Sequence, residues 1–260
     1  MTINFHDEQN KYTYAARSAD QGWIELLRPY FEHKPEIALD IGCGGGIYSK
    51  ALLDLGTNLV MGMDFSESNL EGARDNCRAY ENISFVQGNA LDTGLPDATA
   101  DVILERALIH HIRDLDACFK EASRLLKSGG LFIVQDRTEI DCLLPGSENH
   151  IRGYFFEKYP KLILKETERR YSSPAVLRSL AQHNFEIIEE ISFWETRRIY
   201  HDIHDLEQDL LNRTGRSILH DLDEHELRAL VDYILGTFQD KQGKQILEQD
   251  RWTLWIAKRL

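Results

Sequence analysis

Short apolar runs alternate along this chain with longer stretches in which apolar residues recur every three to four positions. That rhythm belongs to parallel strands joined by amphipathic helices. Trp23, Leu26, Leu27 and Tyr30 share one face of a helix expected over about 19–31, with Ser18 as N-cap. Strands follow at 37–41, 60–64, 83–86, 101–105 and 131–135, separated by helices at 47–55, 68–80 and 114–126. The last of these helices runs into Lys127-Ser128-Gly129-Gly130, where Gly129 or Gly130 is expected to supply a left-handed C-cap. Beyond Asp136 the pattern loosens. Residues 141–170 mix aromatic and charged side chains without clear period. Ser173-Pro174 opens a helix ending near Asn184, 185–193 reads as a sixth strand, and 252–257 as the last. The block 201–248 reads as wholly helical and rich in His, Asp and Glu, with few core residues of its own, hence as an insertion.

The expected organisation is a single domain over 1–260. It comprises an N-terminal arm and helix (1–36), a ligand-binding core (37–136), an acceptor-side segment (137–172) and a helical lid (201–248). Composition agrees with a globular chain: 42% hydrophobic and 28% charged residues. Thirty Lys and Arg against 43 Asp and Glu leave a net charge of −13. Such a field repels phosphate backbones and anionic lipid, so no nucleic-acid or membrane partner is expected, and a small molecule is. The four cysteines form no CxxC pair, which favours reduced thiols over disulfides or zinc. With no basic, apolar leader at the N-terminus and no run of about 18 apolar residues, a cytoplasmic location is expected.

The run Asp40-Ile41-Gly42-Cys43-Gly44-Gly45-Gly46 falls where a strand ends and a helix begins. Glycines there allow a sharp turn and close approach of a ligand to the N–H groups of the helix terminus. Dinucleotide sites use a similar loop, but their third glycine would stand at position 47, which is Ile47. Asp40 would also repel a pyrophosphate and favour an ammonium group, which disfavours an NAD-dependent oxidoreductase. Asp64 ends the second strand, where a carboxylate can accept both hydroxyls of a ribose. Gln87-Gly88-Asn89-Ala90 follows the third strand and Glu105-Arg106-Ala107-Leu108-Ile109-His110-His111 the fourth, all at the sheet edge where open α/β folds bind ligands.

Asp40-x-Gly42-x-Gly44-x-Gly46, Asp64, Gly88-Asn89-Ala90, Leu95-Pro96, Asp101-Val102-Ile103 and Arg124-Leu125-Leu126-Lys127-Ser128-Gly129-Gly130 together resemble the class I S-adenosylmethionine-dependent methyltransferases. The likeness is dense over 37–136 and thinner beyond. It implies a doubly wound, Rossmann-like α/β fold with a seven-stranded, mostly parallel sheet and an antiparallel last strand. A helical insertion between the last two strands suits that family. It implies S-adenosyl-L-methionine as cofactor, with the glycine loop (Gly42, Gly44, Gly46) on the methionine moiety and Asp40 favouring the ammonium. Asp64 would take the ribose, Phe65 and Ala90 the adenine, and Asn89, where Asp is common, the adenine amino group. Glu105 and Arg106 complete the implied cofactor set. The implied activity is methyl transfer to an O or N atom of a small-molecule acceptor; a non-catalytic protein that binds S-adenosylmethionine or S-adenosylhomocysteine stays open as the alternative.

A sulfonium methyl needs in-line positioning and, for an O–H or N–H acceptor, a proton acceptor. His110 and His111 are the candidates, since imidazole titrates near neutrality; capping of the next helix is the competing use. The remaining histidines lack metal-ligand spacing, and no metal is expected. Tyr14 and Arg17 are candidates either for a lid over the cofactor or for an arm packed on the sheet. Arg152, Tyr154, Trp194 and Arg197 are candidates for the acceptor pocket.

Overall fold

The computed structural model describes residues 18–238 and 243–260. They fall into two compact units. The sheet unit holds residues 18–136, Tyr171–Ser192 and Thr253–Leu260, and the second unit holds Arg137–Arg170 and Phe193–Trp252.

Seven strands, β1 (Ile37–Ile41), β2 (Leu59–Asp64), β3 (Ile83–Gln87), β4 (Ala100–Arg106), β5 (Leu126–Asp136), β6 (Phe185–Tyr200) and β7 (Ile246–Arg259), form one sheet in the order β3-β2-β1-β4-β5-β7-β6. β1 to β5 pair in parallel and β7 runs antiparallel to β5, the doubly wound arrangement expected. The order reverses at β1 and β4, so the chain leaves these two neighbouring strands toward opposite sides and opens a crevice at their C-terminal ends. The helices of the sheet unit are α1 (Gln21–Leu27), α2 (Ile47–Asp54), α3 (Glu67–Cys77), α4 (Leu115–Leu125) and α8 (Ser173–Gln182). Leu39, Ile41, Ile103, Phe132 and Val134 of the sheet pack with Phe119 and Leu125 of α4 and Leu180 of α8 in its core.

Several expected boundaries move, each for a physical reason. The first helix starts at Gln21 with Asp20, not Ser18, accepting from the Trp23 N–H. It gives way to a 3-10 turn at Arg28–Phe31, because Pro29 has no N–H to continue the helical ladder. No glycine caps α4: its C-cap is Leu126, already extended and paired with Ala100, and Gly129 instead turns the chain inside the β5 span at φ +79°.

The second unit carries α5 (Glu139–Cys142), α6 (Arg152–Lys158), α7 (Lys161–Thr167), α9 (Ile203–Leu211) and α10 (Glu224–Thr237). The expectation that 201–248 has few core residues of its own is corrected. Leu206, Leu210, Leu219, Leu230, Val231 and Ile234 are fully buried there, packed with Ile151, Phe155 and Tyr200. Nor is the block wholly helical, since β7 begins at Ile246. That strand buries Ile246, Glu248, Asp250 and Trp252 at alternate positions, so two of its inward residues are acids. Glu248 is paired with Arg197 at 2.8 Å and Arg216 at 2.8 Å, and Asp250 with Arg137 at 3.2 Å. Burying such charges is tolerated only with partners of this kind.

Candidate functional site

A cavity of about 510 Å³ lies within the sheet unit. Four loops that follow strands line it: the glycine run after β1, Asp64 to Asn69 after β2, Gly88 to Ala90 after β3, and Arg106 to Ile112 after β4.

The glycine run is fixed from below by β2, whose Met63 carbonyl accepts the N–H groups of Gly42 (2.7 Å) and Cys43 (2.9 Å). Two of its glycines serve different ends. A Cβ on Gly46 (φ +74°) would meet Cys77 Sγ and Phe85 Cζ at 2.9 Å, so this position is bare to let α3 and β3 pack. A Cβ on Gly44 (φ +51°) would meet nothing within 4 Å, because it would point into the open cavity. That is the cradle a close-lying ligand needs.

Asp64 gathers the next loop. Its Oδ2 accepts the Gly44 N–H at 2.9 Å, and its Oδ1 accepts the Ser66 N–H at 2.9 Å and the Asn69 amide at 3.2 Å. Phe65 beside it is 67% exposed on the cavity rim. Asn89 Oδ1 accepts the Leu91 N–H at 3.0 Å, which orients its amide at the cavity, and buried Ala90 forms wall. Asp40 lies deeper, with Ser49 Oγ donating to its Oδ2 at 2.6 Å. Burial pushes the Asp40 carboxyl up to about 6; the Ser49 hydroxyl opposes this, nearby Asp64 adds to it, and Arg106 pulls it down. Arg106 faces the cavity with its guanidinium 4.0 Å above the Tyr48 ring. Tyr48, Ser49 and Asn69 went unread in the sequence; the first two sit in the opening turn of α2, where the glycine motif itself places side chains beside the loop.

Glu105 does not join this set. Consecutive strand residues face opposite sides of a sheet, so with Arg106 toward the cavity Glu105 turns into the core. There it is 1% exposed and accepts from Cys118 Sγ of α4 at 3.4 Å. The expectation that it contacts cofactor is corrected. The two histidines also part company: His111 lines the cavity, whereas His110 bonds through Nδ1 to Asp136 at 2.8 Å. Arg152 and Arg197 are corrected too, since both are spent in buried ion pairs of the second unit. Arg152 bonds Glu166 at 2.6 Å, and Arg197 bonds Glu248 and Asp209. Tyr154 packs edge-on against Tyr233, and half-exposed Trp194 edge-on against His150. Tyr14 and Arg17 lie outside the described residues.

Asp64 makes a first test. Asp64→Ala removes a charged acceptor and leaves the Gly44 N–H without its partner; hydrogen bonds to a charged group are worth about 1.5–3 kcal/mol, so nucleoside affinity should fall about 10–150-fold. Calorimetry with S-adenosylhomocysteine checks this, and wild-type affinity in a folded variant would remove Asp64 from the site.

A sheet ordered 3-2-1-4-5-7-6, with a bare glycine cradle after its first strand and a carboxylate after its second, defines the class I nucleoside-dependent methyltransferase architecture. Residues 39–134 match the family model described as a methyltransferase domain. The chain is 33% identical over 112 residues to the ribosomal protein L11 methyltransferase of Clostridium botulinum, spanning 42% of this chain and 34% of that one. It is 31% identical over 108 residues to the demethylmenaquinone methyltransferase of Bacillus licheniformis, spanning 41% and 47%. Less than half of either relative's length is thus matched. A solved structure from Anabaena variabilis, described as a methyltransferase from an antibiotic biosynthesis pathway, superposes with a TM-score of 0.69 at 19% identity over 94% of this chain and 99% of that one. Over residues 39–134 the chain is thus similar to methyltransferase domains, and its fold is that of the class I methyltransferases.

Proposed function

We propose that the protein transfers a methyl group from S-adenosylmethionine to an O or N atom of a small molecule. The observation that carries this reading is the Gly44 cradle open to a cavity whose next wall is Asp64. When bound, S-adenosylmethionine supplies a sulfonium methyl, an electrophile that already carries its leaving group. In this reading Asp64 holds the ribose hydroxyls and Phe65 covers the adenine, with Asn89 and Ala90 at its edge. The Gly42–Gly46 backbone takes the methionine chain, Asp40 favours its ammonium, and Arg106 meets its carboxylate. His111 accepts the acceptor's proton. A net charge of −13 opposes a polyanionic acceptor, and the relatives named above differ in acceptor, from a ribosomal protein to demethylmenaquinone. Among the described residues no helix is long and apolar enough to cross a membrane. Acceptor selection is assigned to 137–172 and 201–248, which lie outside the cofactor motifs.

Calorimetry should show S-adenosylmethionine and S-adenosylhomocysteine binding with little response to NAD. A panel of phenol-, carboxylate- and amine-bearing small molecules should then yield an acceptor, detected by release of S-adenosylhomocysteine. Tight NAD binding with no response to either nucleoside would overturn the proposal.

A further inference from the structure

Asp136, the last residue of β5, is buried at 1% exposure, yet no cofactor or acceptor role has been given to it. It grips the turn after β4 at one residue, twice. Its Oδ2 accepts the backbone N–H of His110 at 3.2 Å, and its two oxygens lie 2.8 and 3.1 Å from His110 Nδ1. A carboxylate only accepts, so Nδ1 carries the hydrogen and the ring orientation of His110 is set. The His110 side chain is 11% exposed, and its ring lies against that of His111, centroids 4.0 Å apart at 43°. His111 is exposed and forms part of the cavity wall. A buried carboxylate, an oriented imidazole and a second imidazole on the cavity thus follow one another in contact. The backbone supports the same turn: Ala107 adopts φ +52°, a strained geometry for a residue with a Cβ, and its N–H donates to the Gln135 carbonyl at 2.8 Å. β5 therefore holds this turn at two consecutive residues, Gln135 by backbone and Asp136 by side chain.

We infer that Asp136 and His110 are positioning residues that hold His111 as the proton acceptor of the methyl transfer. The inference rests on the methyltransferase reading and deepens it. In the step, the acceptor heteroatom bonds to the methyl carbon while the carbon–sulfur bond breaks and its electron pair stays on sulfur. The acceptor's proton passes to a ring nitrogen of His111, which becomes imidazolium and later releases it to water. Asp136 touches neither reactant. It acts through His110, whose fixed ring stops the exposed His111 side chain from turning away to solvent. Holding a base within reach of its proton is where such a residue contributes rate, since general-base catalysis is worth about 10²–10⁴-fold only in the right geometry.

The test has two arms. The first needs no acceptor: NMR of ¹⁵N-histidine-labelled protein loaded with S-adenosylhomocysteine. The wild type should show a slowly exchanging His110 Nδ1–H and cross-peaks between the His110 and His111 rings. Asp136→Leu, which keeps the size but removes both acceptor oxygens, should lose both while S-adenosylhomocysteine affinity stays within about twofold. The second arm measures turnover on the acceptor found in the screen. Asp136→Leu should lower kcat about 10–100-fold with KM little changed, and His111→Gln should lower it at least as far. His110→Phe keeps a flat ring against His111 but cannot bond Asp136. It should match Asp136→Leu, and the double variant should be no worse than either single, because the two act as one unit. Wild-type ring contacts in Asp136→Leu, full kcat in His111→Gln, or multiplying losses in the double variant would each overturn the inference. Failure of the wild type to bind either nucleoside would instead overturn the methyltransferase reading, which separates the two.

Discussion

Gly44→Val should abolish measurable binding of S-adenosylmethionine and S-adenosylhomocysteine while leaving the sheet unit folded. Two costs combine. At φ +51° a β-branched residue sits in a region that disfavours any Cβ, a strain of about 1–2 kcal/mol. That part appears as lost stability. The larger part appears only on binding: the valine Cβ would point where no protein atom lies within 4 Å, into the space assigned to the ligand. Displacing a ligand held that closely should cost at least the top of the roughly 10–150-fold range expected for Asp64→Ala. Gly46→Ala makes the contrast. Its Cβ would press on Cys77 and Phe85 at 2.9 Å, so it should destabilise the fold before it touches the cofactor. Calorimetry alongside thermal unfolding separates the two. If Gly44→Val bound S-adenosylhomocysteine normally, the cradle would face something other than the nucleoside.

The loops that line the cavity were legible in the sequence because their signals are local. The turn after β1 needs left-handed backbone at Gly42, Gly44 and Gly46, and only glycine takes it without cost, so the requirement is written into consecutive positions. Asp40 is the penultimate residue of β1 and Asp64 the last of β2, strands whose limits follow from apolar runs, and both reach the cavity. Glu105 differs, because its direction is not set locally. Of two adjacent polar residues ending a strand, alternation sends one to the ligand and one inward. Which is which depends on register, and β4 turns Arg106 outward.

The remainder was hidden because its contacts are distant in sequence. His110 meets Asp136 across 26 residues, and nothing in either neighbourhood announces the other. Only the C-terminal part of β7 shows in the sequence, because Glu248 and Asp250 fill inward positions where a strand usually shows apolar residues. Their partners, Arg197, Arg216 and Arg137, come from other elements. The same pairing removes Arg152 and Arg197 from any acceptor role: cations that look available in a sequence are consumed by buried carboxylates in the fold.

Glu105→Gln should stabilise the protein strongly above pH 8 and hardly at all near pH 5. Burial pushes the Glu105 carboxyl up to about 8, with the Cys118 thiol as the only opposing influence of note. Below about pH 4.5 the group is protonated folded and unfolded alike and contributes nothing. Between about 4.5 and 8 the unfolded chain releases a proton that the folded chain keeps, so stability falls as pH rises. Above 8 the full penalty is present. At about 1.4 kcal/mol per pKa unit it amounts to roughly 3–6 kcal/mol, a large share of the 5–15 kcal/mol typical of a domain. An amide of the same shape carries no charge to bury and should escape the penalty. Asp40, also raised by burial, tilts the wild-type profile the same way at lower pH, but it is present in both proteins and cancels in their difference. Urea unfolding of both proteins at pH 5 and pH 8.5 therefore isolates Glu105. A stability difference that does not grow between those two values would mean that the Glu105 carboxyl is not kept neutral by its burial. The side chain would then have to find a counter-charge or water that its contact with Cys118 does not provide.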